Sequence, residues 1–167
     1  MYVVGIDPGL SGAVAVLSQR AASPAQLYVF DMPTLEITVS GKKRRKLDLA
    51  ALADLLSDIA VGAPDIVMLE DVSGRPPSAR GSHSGAFSQG WNACAPAAIC
   101  AAVKLPISLV PPAVWKRATG TPADKDGARL AASRAFPEFA HLWSRVKDDG
   151  RAEAALLASY AARRLAG

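Results

Sequence analysis

Apolar and polar positions along the chain fall into alternating, continuous and helical patterns, and these predict its elements. Tyr2 to Ile6 (YVVGI) is an aromatic and β-branched run that predicts a buried strand, and Asp7 ends it where Pro8 and Gly9 force a turn. Gly12 to Leu17 is again small and β-branched, so the pair reads as an antiparallel hairpin with a carboxylate at the tip of its first strand. Gln26 to Met32 (QLYVFDM) predicts a third strand and a β-meander, broken by Pro33. Glu36 to Val39 reads as a short strand and Gly41 opens a basic block, so about 36–46 is expected to form a projecting arm or hairpin. Leu47 to Ala60 places Leu49, Leu52, Leu55, Leu56 and Ile59 on one helical face, with Asp48 as the cap. Asp65 to Glu70 (DIVMLE) is a continuous apolar run, the pattern of a strand covered on both faces, and it too ends in an acid.

Val72 to Gly90 is dominated by Gly, Ser, Pro and Arg, which predicts a mobile loop over about 72–90. Arg75, Arg80 and His83 are its candidate phosphate contacts and Phe87 its candidate stacking or wedging ring; the plainer reading is an ordinary loop with Phe87 anchoring the next helix. From about Phe87 to Val103 the chain is apolar and small-sided, with Trp91, Cys94 and Cys100. It is expected to be a helix buried on most sides, bent at Pro96 unless it starts there. Pro106 to Val110 predicts a fifth strand, Ala113 to Ala118 a short helix offering Lys116 and Arg117, and Lys125 to Ala135 another helix. Lys147 to Leu165 predicts a last helix, capped by Asp148 or Asp149, with an apolar face of Ala152, Leu156, Leu157, Tyr160 and Ala161.

At 167 residues, half of them hydrophobic and 20% charged, the chain suits a single packed α/β domain and excludes a disordered one. No apolar run approaches the roughly 20 residues of a membrane span, and a strand begins at once where a signal sequence would place a basic then apolar stretch. Cys94 and Cys100 have no metal-site spacing and read as reduced core thiols. A cytoplasmic protein is expected. The net charge of +4 is unevenly placed: Lys42, Lys43, Arg44, Arg45 and Lys46 form one block, which suits a phosphate backbone as well as a solvated loop.

Four acids carry the candidate chemistry. Asp7 and Glu70 stand at strand tips, and Asp149 and Glu153 are four apart, on one side of the first turns of the last helix. Asp7 alone also fits a simple turn cap, and Asp149 alone a helix-terminus acid favoured by the dipole. As a set, like charges repel unless a cation joins them, and oxygen ligands from three elements suit Mg2+ or Mn2+. Two such ions would serve both the attacking water and the leaving oxygen of a phosphodiester.

The motifs GIDPGLSGA (5–13), IVMLED (66–71) and DDGRAEAALLA (148–158) resemble the RuvC-type Holliday junction resolvases of the RNase H-like superfamily. FDMP at 30–33, the basic region ending in Lys46, Leu47 and Asp48, SGAF at 84–87 and VPPAVWKR at 110–117 are closest to the branch of chloroplast and phage-type resolvases. The resemblance runs over nearly the whole chain in the same order. It implies a mixed five-stranded sheet flanked by helices, and a homodimeric, Mg2+-dependent endonuclease, with Mn2+ as substitute, that nicks four-way DNA junctions symmetrically. By position, Asp7, Glu70, Asp149 and Glu153 become the metal ligands and catalytic acids. Asp7 is then shared by two ions, Glu70 and Glu153 each complete one shell, and Asp149 holds or deprotonates the attacking water. Lys42 to Lys46, Arg75, Arg80, Lys116 and Arg117 would hold the junction arms. The Trp91 to Val103 helix becomes the candidate interface between two copies, beside plain core burial. No membrane and no nucleotide cofactor are implied, and the expected place is the nucleoid of a bacterial or phage-infected cell.

Three other readings share parts of this pattern. An actin-like ATPase or kinase also begins with such a loop but needs a second related domain, for which there is no room. A non-catalytic junction-binding protein would keep the fold without the chemistry. An RNase H-like nuclease acting on RNA:DNA hybrids or flaps would keep the acids and change the substrate.

Overall fold

The structure is a computed structural model that describes residues 1–19, 23–72 and 83–167, with the side chains of 83–86, 89 and 125 outside the description. Its central sheet joins β1 (Tyr2–Asp7), β2 (Ala13–Ser18), β3 (Gln26–Asp31), β6 (Ile66–Glu70) and β7 (Ile107–Val110) in the order β3-β2-β1-β6-β7. The first three form the expected antiparallel meander, and β1 runs parallel to β6, as β6 does to β7. The parallel pairs need crossovers, supplied by α1 (Leu49–Val61) and α2 (His83–Ala102).

Strand alternation sorts the core into two layers. Val4, Ile6, Val14, Val67 and Leu69 pack with Leu52, Leu56 and Ile59 of α1, while Val3, Ala13, Ala15 and Met68 pack with Ala154, Leu157 and Ala158 of the last helix, α5 (Asp149–Ala166). The second layer also buries Trp115 of α3 (Pro112–Thr119) and Ala132 of α4 (Lys125–Ala135). Asp48 caps α1 as expected, its side chain accepting from the Ala51 N–H.

The basic block is the second strand of a separate hairpin, β4 (Thr34–Val39) with β5 (Lys42–Leu47). Ser40 and Gly41 both have positive φ, 51° and 74°, the tight-turn geometry that suits the twist of two antiparallel strands. Lys42 to Lys46 are all exposed and Leu47 is buried, so the hairpin is rooted at its base and bare along its length.

Four expectations need correction. The helix expected from about Phe87 starts earlier, at His83, so residues 83–86, expected only in the loop, are helical; Phe87 and Trp91, one turn apart, stack with ring centroids 6.4 Å apart and support the added turn. α2 continues through Pro96 and within this chain is not buried on most sides: it joins α1 in the layer on one face of the sheet through Cys100, Ala95, Ala97 and Ile99, and leaves Trp91 and Cys94 exposed. Cys94 is therefore a surface thiol, while Cys100 is a core one, its thiol pushed up to about 11 by burial. Asp148 precedes α5 but does not cap it, because its carboxylate is taken by Arg145 at 3.0 Å, which holds it below the usual range. Among the described residues no helix is long and apolar enough to cross a membrane.

Candidate active site

The parity of two strands decides where their acids point. Ile6 and Leu69 are partners across the parallel β1–β6 pair and both face α1, so the next residues, Asp7 and Glu70, stand side by side and both face α5. By the same alternation Asp71 belongs to the other face, and Glu70 is the one that lines the cavity. α5 then has to come close. An added Cβ on Gly5 would lie 2.3 Å from the Ala154 carbonyl oxygen, and one on Gly150 would lie 2.2 Å from that of Ser11, so the helix touches β1 and the β1–β2 turn backbone to backbone. Arg151 adds a pin, its Nε 2.6 Å from Asp31 Oδ1 at the end of β3. The first turns of α5 are thus held over the strand tips, with Asp149 and Glu153 beside Asp7 and Glu70 around one open cavity of about 510 Å³.

Asp7 is half-buried at the base of this cavity. Its Oδ1 accepts the Gly9 N–H at 3.2 Å, so it also serves the turn that follows it. Burial, then the carboxylates of Glu70 and Glu153, push its carboxyl up to about 7; the Gly9 N–H lowers it and Asp149 adds a smaller upward push. Glu70 is 7% exposed and accepts from the indole Nε1 of Trp115 at 3.1 Å. Lys116, expected as a surface cation, instead lies in the cavity wall with its Nζ 2.6 Å from Glu153 Oε1 and 5.3 Å from the centre of the Trp115 ring. The reason is the direction of α3, which turns this residue inward and leaves Arg117 exposed.

The donor set suits a hard divalent cation: four carboxylates from three elements, one pushed toward neutrality by burial and then by its neighbours. Among the described residues no three acidic, His or Cys side chains stand at ligand spacing, and Glu153 is paired with Lys116.

Beside the acids, across the Leu10–Gly12 turn, lies a second cavity of about 400 Å³ whose charged lining is Arg45, Arg145 and Lys147 together with Asp31 and Asp148. Arg45 donates to the Leu10 carbonyl, tying the basic hairpin to the site. Of the other candidate contacts, Lys42, Lys43, Arg44 and Lys46 stay on the exposed hairpin, where Lys43 meets Glu36 at 2.8 Å. Phe87 is 71% exposed. Arg75 and Arg80 lie outside the described residues, as does the side chain of His83. Sequence reasoning missed Trp115, Arg145, Lys147 and Arg151; of these Trp115 lies in VPPAVWKR and Arg151 in DDGRAEAALLA, but the apolar surroundings of the first made it look like core and nothing local pairs the second with Asp31.

No family model matches this sequence, and no curated protein does. Solved structures are similar in fold. RuvC of Thermus thermophilus aligns with a TM-score of 0.59 and 17% identity over 98% of this chain and 96% of that one. The same organism's RuvC in complex with a Holliday junction substrate aligns at 0.60 and 17%, over 98% and 96%. The yeast mitochondrial Holliday junction resolvase aligns at 0.54 and 19%, over 98% of this chain and 78% of that one. This chain has their fold, the mixed five-stranded α/β sheet flanked by helices.

Proposed function

We propose that this protein is a metal-dependent endonuclease that resolves four-way DNA junctions. The observation that carries the reading is the convergence of Asp7, Glu70, Asp149 and Glu153 on one open cavity, with an exposed basic hairpin tied to its rim. The fold it shares with the resolvases above points the same way.

The four acids are the residues that would hold Mg2+ or Mn2+, and their number suits two ions. When bound, the ions supply the charge that lowers the pKa of water and steadies the leaving oxygen. Asp149, at the N-terminus of α5, orients the attacking water and takes its proton. Lys116, paired with Glu153, offsets the excess negative charge there. The hairpin cations Lys42, Lys43, Arg44, Arg45 and Lys46, with Arg117, meet the phosphates of the junction arms, and Arg75, Arg80, His83 and Phe87 are proposed to contact DNA from the segment beside the cavity. Phosphate contacts give affinity and salt sensitivity without sequence choice.

The test is a substrate panel. Cutting of a labelled four-way junction in Mg2+, with intact duplex, flap and RNA:DNA hybrid controls, supports the proposal. Cutting of hybrids or flaps alone moves the substrate, and tight junction binding without cutting in either ion leaves a binding protein. A more local result is expected of the hairpin: the triple variant Lys42→Ala, Lys43→Ala, Arg44→Ala binds junctions about tenfold more weakly and shows a salt slope smaller by about 2–3. Unchanged affinity and slope in a filter-binding titration remove the hairpin from the DNA surface.

Symmetric nicks in two strands require two sites related by a two-fold axis, which a dimer supplies. The exposed face of α2 serves as that interface: Trp91, Cys94 and Ala98 join Leu49 of α1 around an apolar groove of about 280 Å³, next to exposed Phe87. Trp91→Glu is expected to sediment as a monomer where the wild type sediments as a dimer.

A further inference from the structure

We propose that Trp115 is a positioning residue of the acidic cavity, its indole N–H fixing the Glu70 carboxylate in the orientation that divalent-ion loading requires. The inference rests on the reading of that cavity as a metal-dependent site. Trp115 has no exposed surface, and its ring belongs to the core layer under α5. Packing alone does not call for an indole, since Phe or Leu would fill such a place with no polar atom to satisfy. The one polar atom of this ring is spent on Glu70 Oε1 at 3.1 Å, at the tip of β6, 45 residues away in sequence.

The same core layer contains an internal comparison. Trp143 is equally buried, but its Nε1 donates to Ser133 Oγ at 2.9 Å and touches no acid of the cavity. Satisfying a buried indole therefore does not itself require a site carboxylate. An indole nitrogen only donates, so this bond serves Glu70 as an acceptor and cannot trade roles as a hydroxyl could. It fixes one carboxylate oxygen and with it the plane of the group, the service that residues behind metal ligands commonly perform. The next residue on the same helix, Lys116, holds Glu153 from α5. α3 therefore contacts acids of two other elements through consecutive side chains, and Pro111 at its start and Gly120 at its end, in the left-handed region at φ 68°, delimit it sharply. A short helix so bounded sets the relative placement of Glu70 and Glu153.

The test replaces the N–H and little else. Benzothienylalanine, in which sulfur stands where the indole has N–H, is introduced at position 115, and at position 143 as a control; Trp115→Phe is a second variant. Mn2+ binding to the DNA-free protein is followed by electron paramagnetic resonance, with the thermal midpoint in chelator and the Mg2+ dependence of junction cutting alongside. The expected result at position 115 is Mn2+ affinity lower by about tenfold or more, with half-saturating Mg2+ raised in parallel and a midpoint in chelator no lower than the control's. Rescue of cutting by excess Mg2+ separates a loading defect from a folding one. Mn2+ affinity within twofold of wild type, or a fall matched at position 143, overturns the inference. If Mn2+ affinity falls as expected but wild type cuts no junction, the proposed substrate is wrong and the positioning role stands. Failure of wild type to bind Mn2+ overturns both.

Discussion

Asp7→Asn is expected to reduce junction cutting on the order of a thousandfold or more, while leaving junction affinity within about threefold, since affinity comes from cations elsewhere. Asn keeps the side-chain oxygen that accepts the Gly9 N–H, so the turn survives and the loss reports on charge alone. The same variant is expected to be the more stable protein in chelator at neutral pH. The wild-type carboxyl sits at about 7, above its ordinary 3.8, so between those values the folded state holds a proton that the unfolded chain has released. Stability therefore falls as pH rises from about 4 to about 7, and the penalty, at most about 4 kcal/mol, is fully present above pH 7. Asn does not titrate. Urea midpoints in chelator should favour the variant at pH 8 and converge toward pH 4, and added Mg2+ should raise the wild-type midpoint at pH 8 alone. Equal midpoints at pH 8 would show that burial and the neighbouring acids do not hold the Asp7 carboxyl above its ordinary value.

The second large effect is expected at Gly5. A Cβ there falls 2.3 Å from the Ala154 carbonyl oxygen and 2.4 Å from the Ala158 nitrogen, both backbone atoms of α5 that no rotamer change can move. Gly5→Ala forces the helix off the sheet, unpacks the layer formed with Ala154, Leu157 and Ala158, and costs about 3 kcal/mol or more. In a domain of this size that is a fall in Tm of about 10 °C. It also lifts Asp149 and Glu153 away from Asp7, so any folded variant should bind Mn2+ less well. A Tm within about 2 °C of wild type would contradict the close contact of α5 with β1.

Both predictions depend on the placement of α5, and this is where the sequence was partly legible. The apolar face of Leu156, Leu157 and Tyr160 and the i, i+4 spacing of Asp149 and Glu153 are local, and they were readable because a helix repeats them. So were β1, β2, β3 and the continuous run of β6, because strand periodicity and flanking Gly and Pro are local signals. The exposed hairpin was readable as an arm but not in detail, since its second strand, KKRRKL, has charge in place of alternation. The short 3-10 turns Pro137–Trp143 and Val146–Asp148 left no periodic trace at all. The contacts that complete the site were not legible either. Trp115 with Glu70, Lys116 with Glu153 and Arg151 with Asp31 join positions 45, 37 and 120 residues apart, which only the sheet order and the crossovers bring together. Lys116 in particular read as a surface cation because a Lys on a short helix usually is one. α2 misled in the opposite sense: its apolar composition implied burial, but a composition does not say which residues of a helix face the sheet, and Trp91 and Cys94 are exposed.

The central claim is that the four converging acids form a metal site whose chemistry cuts both strands of a junction. Its most direct measurement uses a supercoiled plasmid that extrudes a cruciform, treated with wild type and with Asp7→Asn in Mg2+ and in chelator. Paired cuts across one junction give linear plasmid, and single cuts give a nicked circle. The account predicts linear product from wild type in Mg2+ only, with ends that map to the cruciform base, and none from Asp7→Asn. Linear product that survives the substitution or the chelator, or wild type that binds the cruciform and leaves the plasmid intact in Mg2+ and Mn2+, would contradict it.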